Sequence, residues 1–248
     1  MRNATRPFVT AAVMIALWWA IAHLSGLPDY MLPKPEEVAA ILQKKYAFLF
    51  EHTLVTVSEI LLGLLCGTAL GSLCAILMML SPVVQRWLSP ILVFSQAMPV
   101  FAIAPLLVLW FGFGMSSKIV MAVLIIFFPV AAAFYDGLRR TEPGWLELAQ
   151  TMNTSKLGIL LRVRLPAALP AFGSGLRVAA AVAPIGAIVG EWVGSSAGLG
   201  YVMMNANAQV RTDEMFAALL ILSAVALTLW ALVNLMLRRL LFWAPDSH

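Results

Sequence analysis

Charged residues are scarce in this chain. Asp, Glu, Lys and Arg make up 11% of its 248 residues, whereas soluble domains carry about 25%. Hydrophobic residues make up 62%. A soluble fold of this length has too little interior to hide that much apolar surface, so a lipid solvent is the simpler explanation. The composition therefore argues against an ordinary soluble domain.

Residues typical of active sites and metal centres are also few. Cys66 and Cys74 lie in one apolar run without metal-ligand spacing, and the three histidines form no ligand pattern. No Ser/His, Cys/His or paired-carboxylate arrangement supports an enzyme. Nowhere does Gly precede Lys, so the chain has no phosphate-binding loop. We expect no catalysis and no bound cofactor or metal. The net charge of +4 does not indicate nucleic-acid binding, because the basic residues lie in short clusters between apolar runs.

Six apolar runs approach the roughly 20 residues that a membrane-spanning helix needs. Ser81-Pro82 is expected to stop the second run, and Ser89-Pro90 to open the third. The runs predict an all-α polytopic fold in which residues 1–248 form one transmembrane domain. The predicted helices cover residues 7–24, 54–80, 89–111, 117–134, 170–190 and 216–237.

The first run has a second interpretation. Arg2 and Arg6 precede it, and Ala20-Ile21-Ala22 offers the small residues of a signal-peptide cleavage site. Because five further apolar runs follow, a retained transmembrane helix is favoured.

The basic residues predict the orientation. With the N-terminus inside, eleven of the sixteen basic residues lie on the cytoplasmic side and five, including Lys118, lie on the other. Positive charge prefers the cytoplasm, so both termini are expected there. Around the sixth run, Asp213 and Glu214 precede the helix while Arg238 and Arg239 follow it, as the helix dipole favours.

Small residues and prolines mark the predicted helices. Prolines within three helices each remove a backbone hydrogen bond and are expected to bend the chain, which favours a moving pathway over a simple anchor. Glycine recurs at every fourth position in two helices, where it permits close packing within one chain or against a second copy. These residues are Pro99, Pro105, Pro129, Pro184, Gly63, Gly67, Gly71, Gly186, Gly190 and Gly194.

The longest cytoplasmic segment, residues 139–169, contains a predicted short helix. Thr141-Glu142-Pro143 has a capping hydroxyl, an acid and an early proline, which are typical of a helix start. One apolar stripe follows, with Glu147 beside it. The helix contains no Lys or Arg, which favours docking on a partner protein over resting on lipid headgroups. The stripe consists of Trp145, Leu148, Ala149 and Met152.

This segment resembles the EAA loop of ABC importer permeases, with Glu147-Leu148-Ala149, then Asn153, then Leu165-Pro166. Leu148 replaces an alanine of that pattern and Asn153 replaces its glycine, for which Asn is a fair substitute because it also enters the left-handed conformation. Three further stretches resemble the nitrate/taurine/sulfonate branch of these permeases. They are Leu32-Pro33-Lys34-Pro35, residues 105–114 and Gly198-Leu199-Gly200-Tyr201.

The resemblance implies a type I importer fold in the bacterial inner membrane. It also implies a division of labour, in which two permeases, expected as a homodimer, form the pathway. Each docks its short helix on one of two ATP-binding subunits, and those partners hydrolyse the ATP. A substrate-binding protein outside the membrane delivers the cargo.

Candidate pathway residues are polar or lie near proline. Glu59 and Glu191 are acids near membrane depth, where charge is costly and often functional; a structural role is favoured for Glu59, whereas structural and gating roles stay open for Glu191. The pathway candidates are Gln96, Met98, Pro99, Glu191 and Asn205.

The cargo is a separate question. Residues 182–196 look most like permeases for thiamine-pyrimidine precursors, with nitrate, taurine or aliphatic sulfonates as alternatives. A proton-coupled carrier that uses Glu59 or Glu191 is the competing mechanism, and a membrane enzyme ranks last.

Overall fold

The computed structural model describes residues 5–243, with side chains from residue 9 onward. This part of the chain is helical and contains no β-strand. A π-helical turn, Leu160–Arg164, joins α8 to α9 without a break. The helices are α1 Thr5–Leu24, α2 Pro35–Lys44, α3 Tyr46–Leu80, α4 Pro82–Ala97, α5 Val100–Phe111, α6 Met115–Arg139, α7 Pro143–Thr151, α8 Lys156–Ile159, α9 Leu165–Gly194, α10 Leu199–Ala208 and α11 Thr212–Leu240.

Within the described residues, four helical stretches are long and apolar enough to cross a membrane. They are Tyr46–Leu80, Met115–Arg139, Lys156–Gly194 and Thr212–Leu240. The pair α4 and α5 counts as a fifth if it is one bent span, and α1 contributes a shorter apolar stretch, Val9–Leu24. An all-α membrane fold is therefore confirmed, while the count of six spans stays a prediction.

The third predicted helix, 89–111, was wrong in its start and its continuity. Helix α4 begins at Pro82, where the Ser81 hydroxyl accepts a hydrogen bond from the Val84 N–H, and Pro90 lies inside it. The chain then bends by 105° between α4 and α5. Pro99 lies at this bend because it has no N–H to continue the first helix.

The other three prolines lie inside helices that continue on both sides of them, and the bends predicted at these positions stay predictions. Pro105, Pro129 and Pro184 all lie inside continuous helices. Several helices are also longer than their apolar runs, because polar residues such as Glu51 and His52 end the hydropathy signal without ending the backbone hydrogen bonding. Helix α9 also includes residues 165–169, which the sequence analysis assigned to the cytoplasmic loop, because its helical backbone hydrogen bonding begins before Pro170.

The chain divides into two compact units. The first contains α1, α2, the start of α3, α10 and the first turns of α11. Trp18 donates its indole N–H to the Pro33 carbonyl at 3.1 Å and stacks on Phe216. Glu214 accepts from Lys45 at 2.7 Å and pairs with Arg211 at 3.0 Å. Neither α2 nor α10 was predicted, since both are too short to span a bilayer.

The second unit is built on the packing of α3 and α9 against α6. A methyl group placed on Gly175 of α9 would lie 2.7 Å from the Pro129 carbonyl oxygen. One on Gly71 of α3 would lie 2.7 Å from the Phe127 carbonyl oxygen, and Gly63 and Gly186 both face Ala122. The glycines therefore let α3 and α9 approach the backbone of α6 within a single chain.

Candidate functional site

Helix α7 lies in the connection from α6 to α9. Glu142 is its N-cap and Pro143 occupies the first turn, where a missing N–H costs nothing. The predicted cap by Thr141 was wrong, because this hydroxyl donates instead to the Leu138 carbonyl at 3.1 Å. Thr141 thereby ties the start of the connection to the end of α6.

The apolar stripe of α7 faces two ways. Ala149 is only 7% exposed and packs inward. Trp145, Leu148 and Met152 are 54%, 62% and 72% exposed, and Glu147 beside them is exposed as well. Three large apolar side chains on this short helix and its C-cap are therefore more than half exposed in the isolated chain.

The C-terminus of α7 is closed by a Schellman motif. Asn153 has a φ of 53°, in the left-handed region. The Thr154 N–H donates to the Ala149 carbonyl at 3.1 Å, and the Asn153 N–H donates to the Gln150 carbonyl at 2.8 Å. Asn153 thus supplies the turn for which glycine is the usual residue, and the end of α7 has a defined geometry.

Arg164 anchors the connection from the other side. Its Nη1 donates to the Leu138 carbonyl at 2.8 Å and lies 3.4 Å from the sulfur of Met79. The next residues, Leu165 and Pro166, form the first turn of α9. Sequence reasoning missed this role of Arg164, although a basic residue directly before Leu-Pro was a usable signal.

A cleft of about 240 Å³ separates the inner face of α7 from the π-helical turn. Leu146 and Gln150 of α7 line one side, and Leu160 and Arg164 line the other. Single π-helical turns within longer helices are frequent at functional sites, and this one lies directly before α9.

A polar cluster is buried among α3, α6 and α9. Lys118 Nζ donates to Glu59 Oε1 at 2.6 Å and to Ser195 Oγ at 2.7 Å. Glu191 of α9 is buried as well. Both glutamates are fully buried and Lys118 is nearly so, so the protein shields these side chains from solvent.

Lys118 corrects the sequence analysis. It was counted among the five basic residues of the outer side, yet it points into the helix packing and neutralises Glu59. It is the only Lys or Arg in the predicted helix 117–134. That isolation, together with a glutamate in a neighbouring span, was the available signal.

The pathway candidates belong to different parts of the chain. Gln96, Met98 and Pro99 lie together at the α4–α5 bend, where Gln96 and Pro99 are exposed. Glu191 is buried in α9. Asn205 is half-buried on α10, in the first compact unit.

The Gly198-Leu199-Gly200 stretch is held by side chains of α3. The Gly198 N–H donates to His52 Nδ1 at 2.9 Å, and the Leu199 N–H donates to Thr56 Oγ1 at 2.8 Å. Gly198 has a φ of 107°, which a side chain would strain. His52 and Thr56 thus cap the N-terminus of α10, a role that the sequence did not reveal.

Residues 67–242 match the family described as the binding-protein-dependent transport system inner membrane component. The chain belongs to this family. It is therefore a multi-pass permease subunit of an ABC importer for a small solute, a transport component that works with ATPase and substrate-binding partners. The matched range includes α7, Lys118 and the whole of α6 and α9.

Similar curated proteins indicate which branch of the family the chain resembles. The permease is 55% identical to a probable ABC transporter permease of Haemophilus influenzae over 96% of this chain and 97% of the relative. It is 36% identical to the formylaminopyrimidine transport permease of Halalkalibacterium halodurans over 97% and 96%. It is 31% identical to the taurine transport permease of Escherichia coli over 98% and 90%. The resemblance to the taurine/sulfonate branch, with thiamine-precursor relatives, is thereby confirmed.

A solved structure supports the fold. The permease superposes on an amino acid ABC transporter crystallised with histidines, with a TM-score of 0.63 over 81% of this chain and 97% of that chain. The two sequences are 21% identical, so this similarity concerns the fold alone.

Proposed function

We propose that this permease imports a thiamine pyrimidine precursor, working with a second copy of itself, two ATP-hydrolysing subunits and an external binding protein. In this proposal residues 1–248 act as one permease domain, and α7 receives the mechanical work. The exposed apolar face of α7 carries the proposal.

The proposed docking surface consists of Trp145, Leu148 and Met152. Apolar surface of this kind gains free energy when a partner covers it. Helix α7 contains no Lys or Arg, so it lacks the basic face with which interfacial helices bind lipid headgroups. A cleft on an ATPase subunit is the occupant that fits both features.

The contacts that hold α7 would transmit its displacement to α9. Its start is tied to α6 through Thr141, and the Schellman motif at Asn153 fixes its end. The following helical stretch, Lys156–Gly194, runs without interruption past the buried Glu191. A displacement of α7 by closing ATPase subunits would therefore move α9 as a rod against α6.

We propose that both termini and α7 face the cytoplasm. Removing the buried Lys118 from the outer basic residues strengthens the asymmetry on which this orientation depends. A reporter fusion after residue 243 that is active only in the periplasm would contradict it.

The cargo assignment depends on the relatives and on residues 182–196. The relative that is 36% identical is named for formylaminopyrimidine, while the relative that is 31% identical is named for taurine. A thiamine pyrimidine precursor is therefore proposed first, with nitrate, taurine or aliphatic sulfonates as alternatives by the same mechanism. Ligand screening of the partner binding protein distinguishes them, and selective binding of taurine would overturn the first choice.

Uptake into proteoliposomes tests the mechanism. Glu147→Arg, or deletion of residues 145–152, is expected to abolish ATP-driven uptake while the protein still inserts. Glu51→Arg makes the same charge change at an exposed site on α3 and serves as the control. Normal uptake by the α7 variants would refute the docking role. Uptake that survives removal of ATP but collapses with the proton gradient would instead establish the proton-coupled carrier.

A further inference from the structure

The cleft between α7 and the π-helical turn carries positive charge. Lys156 of α8 and Arg164 of the π-helical turn both line it, and no Asp or Glu is among the described residues that do so. Lys156 is exposed, and it forms no salt bridge within residues 9–243. The cleft therefore presents two cationic side chains that no lining carboxylate neutralises.

The π-helical turn brings these two cations towards one face of their helix. Lys156 and Arg164 are eight residues apart in one helical stretch. In an α-helix that spacing would leave the two side chains about 80° apart around the axis. A π-helical turn has hydrogen bonds between residues five apart, so it winds more slowly and reduces this angle. Both side chains consequently reach the same cleft.

Arg164 can bind an anion without leaving its place in the fold. Its contacts with the Leu138 carbonyl, at 2.8 Å, and with the Met79 sulfur, at 3.4 Å, both use Nη1. A guanidinium group has five N–H donors in a planar fork, which matches the oxygens of a phosphate group. The contacts through Nη1 hold Arg164 to the chain, while the other donors of the fork serve a ligand in the cleft.

The rest of the lining is mainly apolar and lies at the end of a membrane span. The apolar run of α3 ends at Leu80, which is 50% exposed and lines the cleft together with Met79. Leu146, Ile159 and Leu160 add further apolar lining. A free inorganic phosphate would meet the cations and leave these side chains uncovered. A phospholipid carries a phosphate group for the cations and hydrocarbon for the apolar side chains.

We propose that this cleft binds the phosphate headgroup of an anionic phospholipid, with Lys156 and Arg164 as its cationic contacts. The choice of leaflet rests on the proposed cytoplasmic position of α7. With that orientation the lipid belongs to the cytoplasmic leaflet, where anionic headgroups attract basic side chains. The headgroup lies between α7 and the start of α9, on a face of α7 other than its docking surface.

A lipid titration of the purified full-length permease, followed by native mass spectrometry, tests the site. Phosphatidylglycerol is expected to bind more tightly than phosphatidylcholine with the same acyl chains. Lys156→Gln should lower the affinity for phosphatidylglycerol about fivefold, the effect of one cation near an anionic headgroup, and Lys156→Arg should restore it. Arg162→Gln is the matched control, because Arg162 is an exposed cation of the same π-helical turn and is not part of the cleft lining.

Two further arms separate the lipid from other occupants. Millimolar inorganic phosphate should not displace the bound lipid, and binding should persist when the ATPase subunits are added. Equal affinity for the two lipids, equal losses in Lys156→Gln and Arg162→Gln, or displacement by phosphate or by the ATPase subunits would each overturn the proposal. The titration needs neither cargo, ATP nor a sided membrane, so its failure is distinguishable from a failure of the proposed transport function.

Discussion

Replacing Leu148 with alanine should weaken the binding of the ATPase subunits without unfolding the permease. Leu148 is 62% exposed on α7, so its removal disturbs little of the chain's own packing. Complete burial of a leucine side chain contributes about 1.5–3 kcal/mol. A partner that covers the exposed portion would therefore gain about 1–2 kcal/mol from this side chain.

That free energy corresponds to a loss of affinity of about 5- to 30-fold per docking site. Trp145 should have an effect at least as large, because it is 54% exposed and a tryptophan buries roughly 150–250 Å². A titration of the purified permease with its ATPase subunits measures the affinity. Uptake at saturating ATPase subunit should recover more for Leu148→Ala than for Glu147→Arg, since the alanine variant loses affinity but keeps the helix.

Leu227→Ala is the matched control. Leu227 is 69% exposed on α11, so the same substitution removes a similar apolar surface from a helix that this proposal does not place against the ATPase. An affinity for Leu148→Ala within twofold of wild type would refute the reasoning. So would an equal loss in both variants, because a general effect of leucine removal would then be responsible.

Three further substitutions test the packing and the turn. Asn153→Val should lower uptake, because a β-branched residue at a φ of 53° costs about 1–2 kcal/mol; Asn153→Gly should retain wild-type uptake, and equal uptake in both variants would contradict a role for the turn. Gly175→Val should destabilise the purified protein by about 1–3 kcal/mol or more, since a side chain there meets the Pro129 carbonyl oxygen. A lower melting temperature than that of the wild type measures this effect. Lys118→Met should destabilise the protein by about 3–5 kcal/mol because it leaves Glu59 without its cation. The half-exposed Lys45, whose partner Glu214 also binds Arg211, should tolerate the same change, and similar melting temperatures for Lys118→Met and Lys45→Met would argue against the buried cluster.

The sequence by itself was sufficient to predict the class of fold. Apolar runs of membrane length predict spanning helices, because a backbone in lipid must satisfy its hydrogen bonds internally. The apolar spacing from Trp145 to Met152 likewise predicted α7, and the resemblance at Glu147 and Asn153 pointed to its family. These features are local in the chain, so they can be read without knowing which helices meet.

The ends of the helices were harder to predict from the sequence. The length of an apolar run is set by the thickness of the bilayer. The length of a helix is set by where its backbone hydrogen bonding begins and ends, which can lie beyond the apolar run. Helix α3 therefore extends to Tyr46, beyond the apolar run, and the broken α4–α5 pair was predicted as one helix. Proline alone did not reveal the break, since Pro99 marks it while Pro105 and Pro129 lie in continuous helices.

The tertiary structure alone decided which distant residues meet. Lys118 and Glu59 are 59 positions apart, and His52 caps a helix that begins nearly 150 residues later. No local pattern carries such information, because the pairing depends on how α3 and α9 pack on α6. The sequence predicted acids at membrane depth, and the folded chain brought the Lys118 cation to one of them, Glu59.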